Sequence, residues 1–214
     1  MVGSVKVLSF DLEGTLVNHV FSDLVWNEGI PKLYAEKMGI SFEEAKNFVL
    51  TEYAKVGDGK IEWYDIKYWF NRFGLKNYKK LFENYSDKVF YYPEVEEVLD
   101  SLKKDYMLVL ATNSGREFLE FLTEKVRKYF DKTFSATSDF KCLKKDSFFY
   151  QKICDILNVK PELMAHVGDR LEDDVISPRR IGVKAFYLDR SGKTSNSFTV
   201  KNLKEFEFKI KSLD

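Results

Sequence analysis

A chain of 214 residues can bury a sizeable core, either as one domain or as a core carrying a smaller insert. Its 34 basic and 34 acidic residues cancel, so no overall field draws it to nucleic acid or to an anionic membrane, and any basic chemistry is local. Two cysteines, Cys142 and Cys154, with no CxxC pair and no close pair of histidines, argue against a disulfide framework and a zinc site and suit a reducing compartment.

Val5 to Phe10 (VKVLSF) is a short β-branched and aromatic run without helical period, which predicts a buried parallel strand followed by a tight turn at Asp11-Leu12-Glu13-Gly14-Thr15. Asp11 stops the run before it reaches the length of a signal segment or a membrane span, so the expectation is a soluble, cytoplasmic protein. From about Val17 to Val89 the texture turns helical. Trp26 to Met38, Ser41 to Val56, Glu62 to Phe73 and Tyr78 to Val89 space their apolar residues at three and four, glycines punctuate them, and Ser41 with Glu44 has the form of a capping box.

After Tyr92-Pro93 strands alternate with helices: helix Glu94 to Lys104, strand Met107 to Ala111, helix Arg116 to Tyr129, strand Thr133 to Ala136, helix Ser147 to Leu157, strand Met164 to Val167, helix Asp173 to Ile181 and strand Ala185 to Leu188. That alternation predicts an α/β fold with a parallel sheet covered on both faces. The expected organisation is a Rossmann-like core formed by residues 1–16 and 90–214, with residues 17–89 as an inserted helical bundle.

In such sheets chemistry sits beyond the carboxyl ends of the strands. The residues found there are Asp11 and Glu13, then Thr112 and Asn113, then a lysine near position 144, then Asp169 with Asp173 and Asp174. Taken singly, Thr-Asn-Ser also reads as a helix cap and GDRLEDD as acids at a helix start; their common placement after strands points to one site. Of two carboxylates facing one pocket, one can attack phosphorus while the other handles protons. Further acids beside them repel one another unless a cation neutralises them, and a hard divalent ion such as Mg2+ suits oxygen ligands and a phosphate. A hydroxyl, main-chain N–H groups and a lysine are the groups that hold phosphoryl oxygens.

These segments resemble the haloacid dehalogenase superfamily. Asp11-Leu12-Glu13-Gly14-Thr15-Leu16-Val17 is similar to its DxDGT signature, Thr112 in VLATNS to its Thr or Ser after a strand, Lys144-Lys145-Asp146-Ser147-Phe148-Phe149 to its lysine segment, and Gly168-Asp169 with Asp173 or Asp174 to its GDxxx(x)D signature. The resemblance implies a helical cap of the first type after the first strand and a Mg2+-dependent phosphatase acting through an aspartyl-phosphate. It implies Asp11 as nucleophile and Glu13 as general acid and base. Thr112, Asn113 and Lys144 would bind phosphate, and Asp11, Glu13, Asp169 and Asp174 would surround the metal, with Asp173 as the alternative to Asp174. The lysine segment lacks the usual Pro, and alignment with the following Asp and Phe favours Lys144 over Lys145, with Lys141 further behind. Glu stands at position 13 where Asp is usual, as in enolase-phosphatases; it is neither the Tyr of the dehalogenases nor the Ala of the phosphonatases.

The implied partner is a small phosphate ester. A mutase of the same fold, and an idle member that binds a partner, are the alternatives. In the cap, Phe21, Trp26 and the Gly57 to Lys60 loop are candidate substrate contacts, His19 reads equally as a substrate contact or a surface linker histidine, and Trp63, Tyr64, Tyr68 and Trp69 read as helix packing; in the core, Arg116 reads as a surface ion pair.

Overall fold

The computed structural model describes residues 4–144 and 146–213. The chain divides into two compact units, Met1–Val17 with Tyr91–Asp214, and Asn18–Phe90.

The first unit is built on a parallel sheet. Its strands are β1 (Val7–Phe10), β2 (Met107–Thr112), β3 (Lys132–Ser135), β4 (Met164–Gly168), β5 (Lys184–Leu188) and β6 (Thr199–Val200), in the order β3-β2-β1-β4-β5-β6. Every residue of β1 and β4 is buried, as a strand covered on both faces requires. Register places Phe10 beside Leu110 on one side and Val167 on the other. The chain runs from β1 outwards through β2 and β3, then returns to the other side of β1 with β4. That reversal puts the carboxyl ends of β1 and β4 at the switch point where parallel sheets open a crevice.

Alternation along β1 divides its side chains between two cores. Val7 joins Val109, Ala111 and Met164 beneath Phe149, Ile153 and Cys154 of a helix spanning Ser147–Leu157. Phe10 turns to the opposite face, edge-on to Phe206 at 5.6 Å between ring centroids and to Phe130 at 6.1 Å. Phe206 belongs to a final helix, Leu203–Lys211, capped by Asn202. Neither that helix nor β6 is among the elements expected from the sequence. Cys142 and Cys154 are both free thiols.

The second unit is helical. Val20–Leu24, a π-helical turn Val25–Gly29 and Ile30–Met38 form one continuous run that ends at Gly39 in the left-handed region, φ +67°. The next helix, Phe42–Val56, opens with the expected capping box, since Glu44 N donates to Ser41 Oγ while Ser41 N donates to Glu44 Oε2. Two shorter helices follow, Ile66–Arg72 and Tyr78–Asn84. Gly29 has a packing role: a Cβ there would lie 2.6 Å from Leu81 Cδ1, so any other residue would have to displace the Leu81 side chain.

The aromatic residues of this unit pack on one another. Tyr53 is edge-on to Trp69 at 4.6 Å and to Trp63 at 6.2 Å, and Tyr68 is edge-on to Trp69 at 5.0 Å. Phe21 packs on Phe82 and Trp26 on Tyr53, while His19 precedes the first helix on the surface. Arg116, in the other unit, pairs with Asp139 and donates to Thr133 Oγ1. Among the described residues no helix is long and apolar enough to cross a membrane.

Candidate active site

Four segments of the sheet-bearing unit meet at the carboxyl edge. Asp11 follows β1, and its N–H donates to Val167 O across the sheet at 2.9 Å, which fixes the carboxylate at the strand end. The chain then turns sharply at Gly14, φ +80°, a region that an L side chain enters only with strain. A Cβ on Gly14 would collide with the carboxylate of Asp169, and a Cβ on Gly168 with that of Asp174. Both glycines therefore stand where acids press against main chain.

Asp11, Asp169 and Asp174 each offer an oxygen within 4.8 Å of the others. Lys144 lies among them, 2% exposed, donating to Asp11 Oδ1 at 2.6 Å and ion-pairing with Asp174 Oδ1. Asp174 also faces His166 Nε2 at 3.1 Å and accepts from Arg170 N at 2.8 Å. Because the carboxylate can only accept, His166 Nε2 carries the proton and Nδ1 accepts from Ser9 Oγ at 2.9 Å. Burial holds the imidazole below its ordinary pKa, and it orients Asp174 as a neutral donor without cancelling its charge.

Among the described residues the Lys144 ammonium pairs with Asp11 and Asp174, and the Asp169 carboxylate adds its negative charge to theirs. Burial, then Asp174 and Asp169, push the Asp11 carboxyl up to about 7 against the pull of Lys144. Burial opposes ionisation of Asp174 too, but Lys144 and His166 outweigh it and hold that carboxyl well below the usual range. Lys144 itself is held above its ordinary value by Asp11 and Asp174, which overcome its burial. An all-oxygen donor set with this negative charge fits a hard divalent cation.

The other residues singled out from the sequence divide in a definite way. Glu13 directs Oε2 to the Ser114 hydroxyl at 2.5 Å and stands outside the group of three carboxylates. Thr112 Oγ1 accepts from Ser114 N at 3.1 Å, which orients the hydroxyl at the end of β2. Asn113 Oδ1 accepts from Lys144 N at 2.8 Å, and its Nδ2 donates to Asp173 Oδ2 at 3.1 Å. Of the adjacent acids, Asp174 thus joins Asp11 and Lys144, whereas Asp173 joins Asn113. Lys141 is exposed and Lys145 lies outside the described residues.

Several contributors were not among the sequence candidates. Thr15 Oγ1 lies 3.4 Å from Asp11 Oδ2. Arg190 donates to the carbonyls of Gly14 (3.3 Å) and Thr15 (2.7 Å), pairs with Glu94 at 2.8 Å and stacks on Tyr92 at 3.4 Å from the ring centroid. It thereby braces the turn that carries Asp11 and Glu13. A histidine inside the apolar run MAHV is a signal for His166; nothing local in the sequence signals Arg190.

Residues 5–182 match the model of the haloacid dehalogenase-like hydrolases, and the chain belongs to that family. It is therefore an enzyme, a hydrolase whose carboxylate cluster lies where the parallel sheet opens. Among curated proteins it is similar to glyceraldehyde 3-phosphate phosphatase of Pyrococcus furiosus, 26% identical over 197 residues covering 86% of this chain and 80% of that protein. Its fold matches the crystal structure of a HAD phosphatase from Thermococcus onnurineus with a TM-score of 0.85, at 24% identity over 98% of this chain and 99% of the other. It also matches the HAD hydrolase YfnB from Bacillus subtilis, crystallised with magnesium, with a TM-score of 0.68, at 13% identity over 98% and 100% of the two chains.

Proposed function

We propose that this hydrolase removes the phosphoryl group from a small phosphomonoester, with Asp11 as nucleophile and Mg2+ as the ion held by Asp11, Asp169 and Asp174. The observation that carries the reading is the convergence of three carboxylates, Asp11 and Asp174 buried and Asp169 half-buried, on Lys144, an all-oxygen group that a divalent cation suits. When bound, the ion supplies positive charge that lets an anionic nucleophile approach an anionic ester.

The chain's own groups do the rest. An Asp11 oxygen attacks phosphorus, the bond from phosphorus to the ester oxygen breaks, and Glu13 gives its proton to the departing alkoxide. Glu13, now a carboxylate, takes a proton from a water whose oxygen attacks the aspartyl-phosphate; phosphate leaves and Asp11 is restored. Lys144 and the Thr112 hydroxyl hold the phosphoryl oxygens while charge moves across them. The Ser114 hydroxyl, 2.5 Å from Glu13, steadies the longer glutamate arm at the turn.

The name of the Pyrococcus furiosus relative puts three-carbon phosphate esters first among substrates to try. The test is release of inorganic phosphate from a panel of phosphorylated metabolites with Mg2+, run beside Asp11→Asn as the blank. Turnover that survives either Asp11→Asn or EDTA rejects the mechanism, and an isomeric phosphorylated product in place of free phosphate identifies a mutase.

A further inference from the structure

We infer that the side chain of Asn113 is a positioning device for Lys144, working as a strut between Asp173 and the Lys144 main chain. Its amide spans two segments far apart in sequence, accepting from Lys144 N at 2.8 Å and donating to Asp173 Oδ2 at 3.1 Å. The orientation of the amide is dictated by its partners: an N–H can only donate and a carboxylate only accept, so Oδ1 faces Lys144 and Nδ2 faces Asp173. Asn113 and Asp173 are each 9% exposed, so water replaces these bonds poorly.

The strut is anchored at both ends. Asn113 O accepts from Thr137 Oγ1 at 2.9 Å, and Asp173 O accepts from Tyr150 OH at 2.8 Å. The carbonyl of Lys144 is held from the other side by Ser177 Oγ at 2.8 Å. Lys144 is thus gripped at its N–H by Asn113 and at its C=O by Ser177, and its long flexible side chain leaves a fixed origin to reach Asp11 and Asp174. The sequence reading put Asn113 among the phosphate ligands. With both ends of its amide committed to protein partners, a phosphate contact at this position falls to the Asn113 main-chain N–H and not to its side chain.

The inference takes its kinetic test from the proposed phosphatase reaction, and a reciprocal exchange separates the strut from direct phosphate binding. Asn113→Asp sets two carboxylates face to face. Asn113→Asp with Asp173→Asn restores one donor facing one acceptor, keeps the acceptor for Lys144 N and leaves the net charge unchanged.

With p-nitrophenyl phosphate and Mg2+, Asn113→Asp is expected to lose ~100-fold in kcat, as misplaced catalytic groups do. The double variant recovers at least ~10-fold of that, the coupling expected between contacting groups. Asp173→Asn alone loses less than Asn113→Asp, because the new amide oxygen still accepts from Asn113 Nδ2. Thermal stability of the four proteins shows the same pattern of loss and rescue; if Asn113→Asp alone does not fold, recovery of folded, active double variant is the same result. A double variant as inactive as Asn113→Asp, or an Asn113→Asp protein as active as the parent, overturns the inference. If the parent protein releases no phosphate from any ester, the phosphatase reading fails instead, and the stability coupling still judges the strut.

Discussion

Gly14 and Gly168 set how near two acids come to the main chain, and a single methyl group is enough to disturb either. Gly14→Ala adds a Cβ at φ +80° where the Asp169 carboxylate already lies. The left-handed conformation costs about 1–2 kcal/mol with a Cβ, but the larger effect falls on Asp169, which has to move away from Asp11 and Asp174. Gly14→Ala is expected to keep its circular dichroism spectrum and lose ~100-fold in phosphate release, the scale set by displacing a catalytic group by about 1 Å. Undiminished turnover would show that the Asp169 position is not critical. The sequence exposes Asp11, Glu13, Thr112, Lys144 and Asp169 because each follows a strand or lies beside one, a placement that ordinary surface acids and lysines do not share. It leaves Asp173 and Asp174 undivided. Residues 171–176 form a π-helical turn instead of a regular α-helical start, and that winding decides which acid turns towards Lys144 and His166. Ser177 and Tyr150 are silent in sequence for another reason: each acts through one hydrogen bond to a carbonyl distant in the chain, and no spacing rule encodes such a partner.

In the helical unit, Phe42–Val56 and Ile66–Arg72 are linked by a charged side chain that lies on a largely apolar face. Glu52, 9% exposed, receives Lys55 Nζ at 2.5 Å on one oxygen and Arg72 on the other, Arg72 Nε at 3.2 Å. The hydrogen bonds from Lys55 and Arg72 lower its pKa from the ordinary 4.5. A carboxyl more acidic in the folded than in the unfolded chain stabilises the fold above the unfolded pKa, and loses that contribution as pH falls through the folded one. Glu52→Gln is therefore expected to melt at a lower temperature than the parent at pH 7, with the gap closing as pH is taken below 4.5. A constant gap from pH 7 to pH 3 would mean that the ion pair contributes nothing and that shape alone matters. Elements with strong periodicity are legible in sequence: the buried runs that become β1, β2, β4 and β5, and the capping box at Ser41 and Glu44. The run from Val20 to Met38 is longer than its apolar spacing suggests because the turn Val25–Gly29 is wound with five residues, which shifts the phase of the pattern. Two residues, Thr199–Val200, are too few for β6 to show any period. The last helix does place Leu203, Phe206 and Ile210 on a buried face, but the interleaved Phe208 is 74% exposed and blurs that spacing.

Across the whole molecule, the carboxylate trio sets function against stability. Without a cation, Asp169 pushes on Asp11 and contributes to the raised pKa of its carboxyl, a repulsion stored in the folded state and absent from the unfolded chain. Removing that charge therefore relieves the metal-free protein while it dismantles the proposed cation site. Asp169→Asn in EDTA is expected to unfold at the same temperature as the parent or higher, as functional acids replaced by neutral isosteres often do. With Mg2+ at ~100 times its dissociation constant the order reverses, because a ligand bound only by the folded protein contributes about 2.7 kcal/mol. In a chain of this length that corresponds to a rise of roughly 5–10 °C. Since the chain comprises two compact units, unfolding need not be a single transition, and calorimetry is the measurement to use. The transition expected to shift with Mg2+ is that of the unit Met1–Val17 with Tyr91–Asp214, where the trio lies. An Asp169→Asn protein that is less stable than the parent in EDTA, yet gains as much from Mg2+, would show that Asp169 is a structural acid and that the cation sits elsewhere.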